Sequence, residues 1–414
     1  MASIFDRHLQ LKDSINCDNS LSMKYFLLLF TLLTGGLVAQ ADVIKIVSSL
    51  PRTGSANGQT TSMVNGLKMA IAEAGGQIAG YTLAYEDWDD ASPERGQWDP
   101  ALEAANAHHA VQDADVMAYV GTYNSGAAKI SMPILNQAGM IMVSPANTYL
   151  GLTKPGTGEA NEPAVYRPSG KINYYRVVPA DDIQGEVAAT FAKETGFKKV
   201  FILDDRELYG KGVAGVFERV AKKLGLVVTG HEGIDAKAAN FRSLVTKIKS
   251  TGADLVYFGG TTQSGAGQLA KDLVASGVKA KLMMPDGCRE NALIESAGKE
   301  NLEGRAYVTF GGLPPSQLQG KGRDFYEAYK KKYNAEPEAY AVYGYESGKV
   351  VIEGIRRAGQ KNREAIRAAV AGIRDMDGAL GKWSFDANGD TSLKVMVVEE
   401  IKNGRFVPVK IVGQ

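Results

Sequence analysis

Cysteine is nearly absent from this chain of 414 residues, which has only Cys17 and Cys288. Cys17 lies ahead of an apolar leader, so a processed chain keeps Cys288 alone and can form no internal disulfide. No cysteine follows the leader to carry a lipid anchor. A surplus of charge is missing as well: the formal net charge is +1 and stays +1 without residues 1–41. Bulk attraction to nucleic acid or to an anionic membrane is thereby excluded, and no nucleic-acid partner is expected. The apolar run Tyr25–Val38 is shorter than the ~20 residues that a membrane-spanning helix needs.

Motifs for catalysis and metal binding are also lacking. Asp386, Asn388 and Asp390 imitate the opening of a calcium loop, but Thr391 stands where glycine is needed and Val397 where the closing glutamate belongs. The run Gly259–Gly267 lacks the Gly-Lys-Ser/Thr ending of a phosphate-binding loop. His108 and His109 are adjacent and point to different faces of a helix, and His231 has no partner at ligand spacing, so zinc is not expected. There is no G-x-S-x-G elbow and no set of nucleophile, base and acid. The expectation is a protein without cofactor, metal or catalytic residues.

What is present begins at Met23-Lys24, where a charged start, the apolar run and Ala39-Gln40-Ala41 spell a secretory leader cleaved before Asp42. Met23 is the expected translation start, and the periplasm the expected location. Without disulfides, an exported chain must rest on its core, and this one is long enough for two or three domains.

From Asp42 onward, short apolar segments alternate with stretches of helical period. Strands are predicted at Val43–Leu50, Thr82–Glu86, Val116–Val120, Met140–Ser144, Tyr175–Val178, Lys199–Leu203, Leu226–Thr229, Asp254–Phe258, Lys281–Met284 and Ala306–Thr309. Between them, Met63, Leu67, Ala70 and Ala74 share one helix face, as do Val213, Val216, Phe217, Val220 and Leu224. That alternation predicts α/β architecture: two doubly wound, Rossmann-like lobes with parallel sheets, joined by a hinge of several strands. Lobe 1 is expected from 42–178 plus 310–378, and lobe 2 from 179–309 plus 379–414, after a segment 1–41 that ends in the leader. Two places break the rhythm. Residues 150–173 are polar and punctuated by Gly and Pro, placed to roof a cleft. The end of the chain reads as a hairpin of Gly381–Phe385 and Leu393–Ile401 around Asp386–Asp390. Residues 87–99, with Trp88 and Trp98, read as a surface excursion or an aromatic rim.

In a doubly wound sheet, ligands bind beyond the carboxyl ends of the strands. The turns there carry Asn57, Gly121–Ser125, Ala146, Thr148, Tyr209, Thr261 and Asp286. Ser125 occupies an expected helix N-cap, where free N–H groups would face an anion. Asp286 either pairs with a ligand cation or serves as an ordinary turn aspartate, and Tyr209 either lines a cleft or packs at a helix start.

The order of these pieces resembles the type I solute-binding proteins of ABC importers, in particular the branched-chain amino-acid (leucine/isoleucine/valine)-binding group. The likeness rests on IKIVSSLPRTGSANGQTTSMVNGLKMAIAEAGG, VGTYNSGAAKISMPILNQAGMIMVSPANT, ILDDRELYGKGVAGVF, ADLVYFGGTTQSGAGQLAKDL and KWSFDANGD, and covers essentially all of 42–414. It implies that Ser125, Ala146 and Thr148 hold a ligand α-carboxylate on the first lobe, and that Asp286 and Tyr209 meet its ammonium from the second. It also implies a monomer that delivers its amino acid to a membrane permease served by a separate ATPase. This chain departs from the group in having Asp286 where glutamate is common, and Asn57 and Thr261 in turns where bulkier aromatics line the side-chain pocket. Amides, urea and aromatic acids are the alternative ligands on this scaffold, and a sensor reporting to a membrane receptor is the alternative use.

Overall fold

The computed structural model describes residues 42–413; the expectations about the leader, its cleavage and the starting methionine lie outside the described residues. The first sheet begins with β1 (Val43–Leu50), followed by α1 (Asn57–Glu73), β2 (Gln77–Ile78) and β3 (Tyr81–Asp89). A ribbon of β4 (Ala91–Ser92) and β5 (Gln97–Trp98) precedes α2 (Pro100–Gln112), β6 (Val116–Gly121), α3 (Ser125–Gln137), β7 (Ile141–Ser144) and β8 (Tyr174–Arg176). The strands lie in the order β2-β3-β1-β6-β7-β8, parallel except for β2 against β3.

The chain then builds a second lobe from α4 (Asp181–Glu194), β9 (Lys199–Asp204), α5 (Leu208–Lys223), β10 (Val227–Gly233), α6 (Arg242–Thr251), β11 (Leu255–Gly259), α7 (Ala266–Ala275), β12 (Lys281–Met284), α8 (Asn291–Ala297), α9 (Lys299–Leu302) and β13 (Ala306–Gly311). It returns to the first lobe with α10 (Lys321–Tyr333), α11 (Ala341–Ala358), α12 (Arg363–Ala371) and a ribbon of β14 (Met376–Gly378) and β15 (Gly381–Trp383). It ends in the second with β16 (Met396–Lys402) and β17 (Arg405–Val412). The second sheet runs β10-β9-β11-β12-β13-β16-β17, parallel as far as β13 and antiparallel beyond it.

Each central strand is apolar on both sides because helices cover both faces of its sheet. In β6, Ala118 and Val120 enter one core with α1 and α11, while Val116 and Tyr119 enter another with α2 and α3. In β11 the same alternation sends Val256 and Phe258 to one side, and Leu255 and Tyr257 to the other. Strand order reverses between β1 and β6 in one lobe and between β9 and β11 in the other, so the turns after these strands open on the crevice between lobes.

The expected terminal hairpin forms only at its tip, where Phe385 bridges Thr391 antiparallel, the Ser392 N–H donates to the Ser384 carbonyl at 2.9 Å and the Asp386 N–H to the Asp390 carbonyl at 2.8 Å; its longer arms pair elsewhere. β15 pairs with β14, and β16 pairs with β13 and with β17, a strand the apolar pattern had not marked. The true hairpin turn is Asn403-Gly404, both left-handed at φ 52° and 67°, a conformation that suits a two-residue turn between twisted strands. Asp386 caps the N–H groups of Asn388 and Asp390 instead, at 2.8 and 2.9 Å. Ala379, Trp383 and Phe385 are buried in the core cluster that also holds β1, α1 and α11. Residues 87–99 are no loose excursion: Trp98 is buried against Gly126, where a Cβ would approach its ring to 2.6 Å.

Candidate ligand-binding site

β6 ends at Gly121, and the chain turns through Thr122, Tyr123 and Asn124 into α3. Asn124, extended at φ −86° and ψ 132°, is the N-cap, and Ser125 is the first helical residue, one position later than expected for the cap. The cap must be non-helical while its carbonyl accepts the first helical bonds, here from Ala127 and Ala128. Ser125 is buried, and its Oγ accepts the Tyr149 N–H at 3.4 Å.

After β7, the Ser144 hydroxyl accepts the N–H groups of Ala146 and Asn147 at 3.2 and 2.9 Å. The Ala146 N–H, expected to face a ligand, thus has a partner within its own turn. Thr148 Oγ1 is buried without a hydrogen-bond partner in the protein. The Thr148 carbonyl accepts the Asp181 N–H at 3.0 Å, tying this turn to the start of α4.

From the second lobe, Tyr209 on the first turn of α5 donates its phenol to Asp286 Oδ1 at 2.5 Å and accepts the Gly287 N–H at 3.2 Å. Gln184 Nε2 donates to the same Asp286 oxygen at 2.6 Å, and the Tyr340 phenol donates to Oδ2. Thr261, after β11, is buried and shares a hydrogen bond with Ser264 at 3.0 Å. Ser125, Ala146, Thr148, Tyr209, Thr261 and Asp286 line one small cavity of about 20 Å³ between the lobes.

Asn57 does not join them. It is exposed, and its Oδ1 accepts from Arg52 and Thr61 at 3.4 and 3.0 Å. Gln59 takes the inward face of that helical turn, donating to the Arg289 carbonyl at 3.0 Å and accepting the Tyr340 N–H at 3.1 Å. Residues 150–173 do not roof the cavity, because none of them lines it. They form two 3-10 turns held around Glu162, and lie against α5 on its far side.

Of four further lining residues, Tyr123 and Asn124 fall within the turn Gly121–Ser125 marked from the sequence, whereas Gly287 and Tyr340 were not singled out. Tyr340 stands at the start of α11, where an aromatic reads as packing, and only the chain's return to the first lobe brings it to Asp286. Asp181 carries as little signal, since acids in a first helical turn are ordinary, and so does Gln184, an amide one turn into the same helix.

Electrostatically the cavity is one-sided. Burial raises the Asp286 carboxyl above its usual range, and hydrogen bonds from Tyr209, Tyr340 and Gln184 oppose that rise. Burial also pushes Asp181 well up, and the charge of Asp286 adds to it. Asp181 Oδ2 has no protein partner, and Gln184 Nε2 reaches its other oxygen at 3.5 Å. A ligand cation would favour the ionised form of both acids. No Lys, Arg or His is among the lining residues, so an anionic group must be met by neutral hydroxyls and amides.

The model of the periplasmic binding protein family matches residues 43–405. Leu/Ile/Val-binding protein homolog 2 of Brucella abortus is 31% identical over 375 residues, covering 88% of this chain and 91% of that one. Among solved structures, the leucine-binding protein LivK of Thermotoga maritima is similar with a TM-score of 0.78 at 26% identity, covering 89% and 99%. The branched-chain amino acid transporter substrate-binding protein LivJ of Streptococcus pneumoniae, solved with isoleucine, reaches 0.76 at 25% identity, covering 89% and 100%.

Proposed function

This chain belongs to the periplasmic binding protein family, and from that premise we propose that it is the substrate-binding component of an ABC importer. It captures an amino acid between its lobes outside the cytoplasm and delivers it to a membrane permease. The names of its relatives favour the branched-chain class. Solute-binding proteins of this family are in general not enzymes. Export by the leader that ends at Ala41 belongs to the same reading.

The observation that carries the proposal is the polarity of the interlobe cavity. Asp286 stands on the second lobe's wall, and the hydroxyls of Ser125 and Thr148 stand on the first lobe's wall. A zwitterion suits it, with its carboxylate on Ser125, Thr148 and the turn at Ala146, and its ammonium on Asp286 backed by Asp181. Ligand docks on the first lobe, and rotation through the three connecting segments brings Tyr209 and Asp286 over it. Contacts made only in the closed form set how far the equilibrium shifts. The test is a thermal-shift screen of ligand-free protein against amino acids, amides, urea and aromatic acids. An amino acid at about 100 times its Kd stabilises by about 2.7 kcal/mol, a clear rise in melting temperature. A screen in which only amides, urea or aromatic acids raise it overturns the proposal.

A further inference from the structure

Once the two poles of an amino acid are placed, the cavity wall still has to accommodate a side chain, and that wall combines tyrosine rings with residues that carry unpartnered polar atoms. Ala146 is the one lining residue with an aliphatic side chain. Tyr123 lines the cavity with a buried hydroxyl that has no hydrogen-bond partner in the protein. Asn124 Oδ1 is likewise buried and without a partner, while the other end of that amide donates to Gln263 at 3.4 Å. A second, smaller hollow of about 10 Å³ shares Asn124, Ser125, Tyr209 and Thr261 with the first, and there Trp98 supplies the apolar surface beside the carboxyls of Asp205 and Glu207. Whichever hollow the side chain enters, it meets oxygen atoms that accept hydrogen bonds.

We infer that the amino acid taken by this site has a short uncharged side chain bearing a hydrogen-bond donor, a hydroxyl or an amide, in preference to a branched aliphatic one. The inference rests on the amino-acid reading above, narrows it, and departs from the branched-chain class that the names of the relatives favour. An aliphatic group against Tyr123 Oη and Asn124 Oδ1 leaves both unpaired in a water-excluded space, whereas a hydroxyl or amide pairs with them. A site built to hydrogen-bond a ligand group discriminates against the analogue without it far more strongly than an apolar pocket discriminates by size.

Two near-isosteric pairs test this in the purified, ligand-free protein by titration calorimetry: threonine against valine, and asparagine against leucine. Threonine is expected to bind at least tenfold tighter than valine, and asparagine at least tenfold tighter than leucine. Tyr123→Phe removes a hydroxyl without a protein partner, so the variant folds, and it is expected to narrow at least one of these ratios severalfold. Valine and leucine binding as tightly as their polar partners overturns the inference while leaving the amino-acid reading intact. Binding of none of the four overturns the inference, and the amino-acid reading falls with it when the thermal-shift screen finds no other amino acid that binds.

Discussion

Asp286 gathers three side-chain donors on two oxygens, Tyr209 and Gln184 on Oδ1 and Tyr340 on Oδ2. None of the three neutralises its charge, and burial raises its carboxyl. A ligand ammonium is the partner that would, so Asp286→Asn keeps the shape and removes the ion pair. Affinity for an amino acid is expected to fall by about 2–5 kcal/mol, as when one partner of a shielded charge pair is lost. Proton and ammonium compete for the same oxygens. Wild-type affinity is therefore expected to fall as the pH is lowered through the raised range of Asp286, with proton release on binding at the acidic end. Calorimetry in acidic and neutral buffers checks both, and an affinity that rises on acidification, or a variant that binds like wild type, removes Asp286 from the ammonium site. Of this constellation, the sequence made Ser125, Thr148, Tyr209 and Asp286 legible through their places after strands. It marked Tyr123 only as part of the turn Gly121–Ser125, could not show Tyr340 or Gln184, whose residue types are as ordinary in packing as in binding, and mistook Asn57, which faces outward from the helical turn where Gln59 faces in.

At the scale of elements, residues 150–173 have a local centre in Glu162. Its carboxylate accepts the phenols of Tyr149, at 2.9 Å, and of Tyr166, and the Glu159 N–H at 2.8 Å. Gly151 and Gly158 press on the same carboxylate, where a Cβ would meet Oε2 at 2.0 and 2.1 Å. A segment this poor in apolar residues depends on such a knot for its order. Glu162→Ala is expected to make residues 154–161 cleavable by limited proteolysis at least tenfold faster, with the rest of the chain protected. Unchanged cleavage rates would show that packing against α5 alone holds the segment. The polar, interrupted sequence announced a long connection but not its place, because its anchors are single side chains without periodicity. The last hairpin was the reverse case, since its Asn-Gly turn was written plainly, while the pairing read around Asp386–Asp390 extends no further than Ser384 and Ser392.

Over the whole molecule, the lobes are joined by three segments, and a buried ion pair holds two of them together. Arg176 donates to Asp390 Oδ1 at 2.7 Å and to the Tyr149 carbonyl at 2.8 Å, with the arginine fully buried. Burial works against the charge on each, yet the arginine's charge and bond hold Asp390 below the usual carboxylate range. Asp390→Ala leaves the guanidinium buried without its counter-charge and is expected to cost about 3–5 kcal/mol of stability, read from the denaturant midpoint. A loss under about 1 kcal/mol would mean that the carbonyls of Asn147 and Tyr149 suffice for Arg176.

The alternation of apolar strands and amphipathic helices by itself determined the α/β class, the two doubly wound sheets and the strand ends where a ligand would sit, because burial on both sheet faces imposes a periodicity that can be read locally. Only the tertiary structure decided which of those turns converge. A cavity between lobes is made by segments far apart in the chain, such as Asn124, Asp286 and Tyr340, and their meeting depends on three crossings and on the closure of one lobe against the other. The mixture of tyrosine rings and unpartnered polar atoms among the lining residues is a property of that meeting, and no single stretch of sequence carries it.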